Sequence, residues 1–185
     1  MPVTIPATIP QIKKEEVIAL INKAYPDFIL PNFFILGIRG YYKNTMGKLS
    51  ENDRKIYDDA IFLIGKDDFF AFNANTDPSA FSPQIANLKA GIWPVYKFDL
   101  HKGKYLALCQ RAGKVIVLRD GQGEDTGMFG INIHKGGIST TSSLGCQTIP
   151  PNQYGSFMKT AQQLAEKYNG NSWKTMVYTY ALIEF

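Results

Sequence analysis

The sequence predicts a mainly β fold of the α+β class, an antiparallel β-sheet assembly with one helix before it and one near its end. Three observations carry this expectation. Between Asn32 and His134 the chain runs as short stretches rich in β-branched and aromatic residues, broken by turn residues. Apolar residues repeat at three- and four-residue spacing in only two places, around Val17 and around Phe157. Twelve Phe, ten Tyr and two Trp bring the aromatic share to 13%, a content that suits strands.

Taken in order, residues 1–11 hold Pro2, Pro6 and Pro10 with little periodicity, and predict an extended arm. Val17, Leu20, Ile21 and Ala24 follow the charged run Lys13 to Glu16 at helical spacing, and Pro26 stops that helix. The strand-like runs are "FFILGIRGYY", "IYDDAIFLIG", "DFFAFNA", "IWPVYKFDL", "KYLALCQ", "KVIVLRD" and "MFGINIH", with hairpin breaks at "RAGK" and "RDGQGED". Gly121, Gly123 and Gly127 lack the spacing and the strand-to-helix setting of a phosphate-binding loop, so they read as turns. The stretch "NANTDPSAFSPQIANLKAG" lacks strand character and reads as a surface excursion. Pro150, Pro151 and Asn152 open the second helix, whose buried face is Tyr154, Phe157, Met158, Ala161, Leu164, Ala165 and Tyr168. Asn169 and Gly170 close it, and "KTMVYTYALIEF" predicts a terminal strand. The chain thus divides into an arm with a packing helix, 1–31, and a main unit, 32–185, within one globular whole.

A length of 185 residues with 45% hydrophobic and 19% charged residues describes a chain able to bury a sizeable core. The net charge of +4 is scattered, and no nucleic-acid-binding motif accompanies it, so nucleic acid is not an expected partner. No apolar run is long enough to span a membrane, and the first residues lack the pattern of a secretory signal. The expectation is a monomer made in the cytoplasm. The two histidines and two cysteines show no metal-ligand spacing, so neither metal nor other cofactor is expected.

The chemistry concentrates in "GINIHKGGISTTSSLGCQTIPP", residues 130–151, which holds one of the two histidines and one of the two cysteines. Cys146 falls in a turn between a strand ending at His134 and the second helix. An imidazole beside a thiol takes its proton, and N–H groups of a glycine-containing turn hold an oxyanion, so this residue set suits nucleophilic catalysis. Gly145 permits close backbone approach, and Ser143 either braces the turn or donates to substrate. An activated Cys146 is expected to titrate well below an ordinary thiol. The plain alternative is a small apolar residue packed in a turn. Cys109, in the alternating run "KYLALCQ", reads as core, with a Cys109–Cys146 disulfide as the alternative. His101, in "DLHKGK", reads as solvent-exposed and as the reserve base. Arg39 and Arg119 are candidates to hold a substrate carboxylate, and Trp93 to line a cleft.

On "INIHKGG" followed by "SSLGC", the sequence resembles the catalytic domain of the L,D-transpeptidases, the YkuD-type family. The resemblance spans about residues 33–160 in order of elements and is specific only at the His…Ser-x-Gly-Cys part. It implies that Cys146 is the nucleophile, His134 the general base, Ser143 and Gly145 the turn-forming positions, and N–H groups near Gly145 and Cys146 the oxyanion hole. It further implies bacterial peptidoglycan stem peptides as substrate. Leu144 stands where the family commonly has His, and Gln147 where Arg often follows. The overall wording also resembles compact phage lysis proteins of this type. Cleavage of the cell wall is therefore expected over formation of cross-links, with a transpeptidase or a non-catalytic cell-wall binder as the alternatives.

Overall fold

The computed structural model describes residues 1–185. Strand makes up 35% of it and helix 19%, so the mainly β, α+β expectation holds at that level. Helix α1 (Lys14–Ala24) follows the proline-rich arm. Glu15 and Glu16 in its first turn and Lys23 in its last complement the helix dipole. Its chain then turns at Tyr25, whose hydroxyl donates to the Leu182 carbonyl at 2.7 Å.

The strands are β1 (Phe33–Arg39), β2 (Asp59–Gly65), β3 (Phe69–Ala74), β4 (Ala86–Leu88), β5 (Gly91–His101), β6 (Tyr105–Gln110), β7 (Val115–Arg119), β8 (Gly123–Gly127), β9 (Ile133–Lys135), β10 (Gln147–Ile149) and β11 (Tyr178–Glu184). Helix α2 (Pro151–Asn169) and a short 3-10 helix (Gly170–Lys174) precede β11. Eight strands form one sheet in the order β10-β9-β6-β5-β11-β1-β2-β3, and β4-β7-β8 form a second. Just beyond β3, Asn75 pairs with Thr148 of β10 through N–H···O bonds of 2.9 and 2.7 Å, which ties the two edges of the large sheet together.

Alternation along the strands supplies a core on each face of this sheet. On one face α1 buries Val17 and Ile21 against Phe34, Leu36, Phe62 and Ile183. On the other, Phe157, Ala161 and Leu164 of α2 pack with Ile35, Ile61, Phe72, Ile133 and Tyr180. Each fully buried Phe or Leu of this kind contributes about 2 kcal/mol of apolar transfer. The predicted face of the second helix is buried as expected apart from half-buried Tyr168, whose hydroxyl reaches Asp68 at 2.6 Å.

The sheet is mixed rather than antiparallel, because β1 pairs parallel with β11 and β9 pairs parallel with β10. Local hairpins make antiparallel pairs, whereas these partners are joined by long connections that return the chain to its starting end. Three short strands also lie where turns were expected. β4 falls within the surface excursion, β8 covers Gly123 and Gly127, and β10 intervenes between Cys146 and α2. Strands of three to five residues with mostly polar or glycine-rich sequences carry no alternation to read.

Candidate active site

His134 lies on β9, and Cys146 immediately precedes β10, the strand that pairs parallel with it. The register sets Gln147 beside Ile133 and Thr148 beside His134, which puts Cys146 level with Asn132. Ile133 and Ile149 enter the core, so by alternation Asn132, His134, Cys146 and Thr148 share the opposite face. His101 of β5 and Tyr105 of β6, themselves a cross-strand pair, lie on that face as well. Parallel register thereby makes Cys146 a diagonal neighbour of His134, about 8 Å away between Cα atoms by standard strand spacing.

The turn that presents Cys146 is held by Ser143. Its hydroxyl donates to the Cys146 carbonyl at 2.7 Å and accepts the Gly145 N–H at 3.0 Å. The Ser143 N–H in turn donates to Ser79 Oγ at 2.7 Å, and the Ser79 N–H returns a bond to the Ser143 carbonyl at 2.8 Å. Of the roles open to Ser143, the structure gives it the bracing one. Gly145 has φ +134° and lies against the Ala86 carbonyl of β4, so its freedom serves contact with β4. Because Gly145 N–H is spent on Ser143, the N–H nearest the sulfur without a partner is that of Cys146 itself.

The Cys146 side chain is half-buried, and Sγ donates to the Gly130 carbonyl and accepts the Asn132 N–H, both at 3.4 Å. Burial pushes its pKa up, with the Asn132 N–H and the Lys102 charge acting the other way. The resting group is therefore a thiol, and the low titration expected of an activated Cys146 is not what this environment produces. Cys109 is a free thiol too, fully buried and pushed up to about 11 by desolvation, and no disulfide joins the pair.

His134 is 6% exposed. Its Nδ1 lies 2.8 Å from the Lys135 carbonyl, an acceptor only, so Nδ1 carries the proton and Nε2 keeps its lone pair. Burial and the neighbouring His101 lower its pKa to about 4, which keeps the ring neutral at neutral pH and makes it a weaker base than an ordinary histidine. No hydrogen bond joins His134 to Cys146 in this resting arrangement.

The reserve base and three residues that the sequence did not single out, Asn132, Gln110 and Thr148, complete the site. His101, expected in solvent, is 6% exposed and stacks on His134 with ring centroids 4.1 Å apart. Asn132 joins the two halves, since its backbone touches the Cys146 sulfur and its amide touches His101. Gln110 pins the segment that carries Gly130, accepting the N–H groups of Phe129 and Ile131 at 3.2 and 3.0 Å and donating to the Gly127 carbonyl at 3.0 Å. Thr148 Oγ1, across the pair from His134, is buried without a partner. Only the residue types gave any signal for these positions, because each acts through a neighbour on another strand.

The three residues proposed to bind substrate lie elsewhere in the hydrogen-bond network. Arg39 is buried, with Asp77 at 3.0 Å, Glu184 in contact, and the Thr76 and Leu88 carbonyls at 2.7 and 3.0 Å, so its fork is committed internally. Arg119 pairs with Asp125 at 3.0 Å and the Gln84 carbonyl at 2.8 Å, and lies over the Phe129 ring. Trp93 donates to the Lys89 carbonyl at 3.0 Å and packs on the core. A groove of about 540 Å³ between the arm, β3 and the start of α2 is lined by neither Cys146 nor His134. No three His, Cys, Asp or Glu side chains gather as a metal site, and no helix is long and apolar enough to cross a membrane. Comparison with protein families, with characterised proteins and with solved structures gives no significant match.

Proposed function

We propose that this chain is a cysteine-dependent peptidoglycan peptidase, a lysis enzyme of the phage endolysin kind that cleaves stem peptides or cross-links of the bacterial cell wall. The observation that carries the reading is the juxtaposition on β9 and β10. A half-buried cysteine stands in a serine-braced glycine turn with its own N–H unpaired, one diagonal step from a histidine held with a bare Nε2. Those are the parts that acyl transfer through sulfur requires.

In this mechanism Sγ leaves the Gly130 carbonyl and gives its proton to His134 Nε2 as it bonds to the peptide carbonyl carbon. The Cys146 N–H stabilises the oxyanion. The C–N bond then breaks, the departing amine takes the proton from His134, and a thioester remains. Water, deprotonated by His134, cleaves the C–S bond to release the carboxylate and restore the thiol. The Lys135 carbonyl stabilises the imidazolium that forms in each half.

A second reading, a cell-wall binder without turnover, is favoured by the raised thiol pKa and by the bond that parks Sγ on Gly130. A transpeptidase would use the same acyl-enzyme with an amine in place of water. Digestion of purified peptidoglycan by the wild type and by Cys146→Ala, read by mass spectrometry of muropeptides, separates them. New peptide termini that vanish in the variant support the peptidase. Amine adducts when an acceptor is supplied indicate the transpeptidase, and unchanged muropeptides in both proteins leave the binder.

A further inference from the structure

Asn132 makes two bonds that converge on the candidate dyad from different sides. Its Oδ1 accepts the Gln110 N–H at 3.0 Å, which fixes the amide so that Nδ2 faces His101 Nδ1 at 3.0 Å. An amide N–H₂ only donates, so His101 Nδ1 is the acceptor and its proton sits on Nε2. The same residue's backbone N–H lies 3.4 Å from Cys146 Sγ. His101, 6% exposed, lays its ring on that of His134 at 4.1 Å and 22° between planes.

We propose that His101 and Asn132 form a positioning pair for the Cys146–His134 dyad, in which Asn132 anchors both the sulfur and His101, and His101 fixes the plane and tautomer of His134 by stacking. The proposal rests on the peptidase reading for its purpose but not for its geometry. A tilt of the His134 ring out of its plane would break the bond from Nδ1 to the Lys135 carbonyl that holds the proton there. A flat neighbour held by its own hydrogen bond resists that tilt. Burial, Lys102 and Arg111 lower the His101 pKa as well, so at neutral pH neither ring of the stack carries a charge. The other groups around His134 are the Tyr105 hydroxyl at 3.4 Å from Nδ1, Lys102 in the β5–β6 turn, Lys135 on its own strand, and Cys146 and Thr148 on and before β10.

The chain has only two histidines, so ring-nitrogen NMR of the whole protein reads both directly. The wild type is expected to show His134 protonated on Nδ1 and His101 on Nε2 at neutral pH. His101→Ala should release His134 into a mixture of tautomers and move its titration up toward the ordinary value of about 6.5. His101→Phe, which keeps a flat ring, should preserve the single tautomer. A wild-type His101 protonated on Nδ1 overturns the Asn132 link without any variant. A His134 whose tautomer and titration are unchanged in His101→Ala overturns the brace. If His101→Ala does not fold, the brace is decided on His101→Phe, where a mixed His134 tautomer overturns it. None of these readouts involves peptidoglycan, so ring states as expected beside unchanged muropeptides would sink the peptidase reading and leave the positioning pair standing.

Discussion

Gly145 rests against the Ala86 carbonyl so closely that a β-carbon on it would overlap that oxygen, and its φ of +134° lies where only glycine is at ease. The turn before Cys146 is therefore seated on β4 of the small sheet, which couples the two sheets at that cysteine.

Gly145→Ala must shift either the turn or β4. The backbone conformation alone costs on the order of 1–3 kcal/mol, and the overlap adds to it because the obstacle is backbone rather than a flexible side chain. Urea denaturation should show at least that loss, and under the proposed peptidase reading any folded remainder should digest peptidoglycan poorly. Wild-type stability in this variant would mean that the turn does not touch β4 in solution.

Ser143→Ala removes the acceptor for the Gly145 N–H and the donor to the Cys146 carbonyl, both in a buried turn. Groups left unsatisfied in this way cost about 1–3 kcal/mol. The expected result is a fall in thermal stability together with reduced turnover at unchanged substrate binding. A loss of binding with turnover intact would instead assign the hydroxyl to substrate.

The two thiols should differ in alkylation rate. Cys146 is half-buried and Cys109 fully buried with its pKa near 11, so iodoacetamide should label Cys146 first. In the free protein its rate should still be climbing above the ordinary thiol range, since burial raises its pKa. A midpoint below pH 7 would show a preformed thiolate. Acid should abolish turnover only as pH falls through about 4, where His134 takes up a proton and ceases to be a base.

Asp77 and Asp59 act on buried Arg39, and their buried neighbour Asp58 is pushed up to about 7, first by desolvation and then by Asp77 and Asp53. A carboxyl whose folded pKa is raised binds its proton more tightly when folded. Its contribution to stability is complete below about 4 and is lost as pH rises to about 7. His134 acts in the opposite sense, its lowered pKa costing stability as pH falls from about 6.5 to about 4. Denaturation midpoints measured from pH 4 to 8 should therefore shift upward at the alkaline end in Asp58→Asn relative to wild type. Parallel profiles for the two proteins would show that Asp58 titrates normally.

Much of this was legible before folding. The two helices announced themselves because an amphipathic helix must place apolar residues at Val17 and Ile21, or at Phe157, Ala161 and Leu164, to bury one face. The long strands did so through β-branched and aromatic runs. Ser143, Gly145 and Cys146 were legible as a turn because serine and glycine do specific backbone work there. His101 was misread for a physical reason: "DLHKGK" is polar on both sides, yet β9 and the Asn132 amide cover the histidine from far along the chain. Arg39 was misread similarly, since its acidic partners Asp77 and Glu184 are remote in sequence.

What the sequence determined by itself was local: the class of fold, the two helices, the longer strands, and the residue types gathered near Cys146. Those follow from periodicity and turn chemistry, which act within a few residues. Only the tertiary structure decided that β9 and β10 run parallel, that Cys146 stands diagonal to His134, and that His101 and Asn132 tie them together. Pairing register and burial are set by contacts between segments distant in the chain, and no local pattern of residues encodes them.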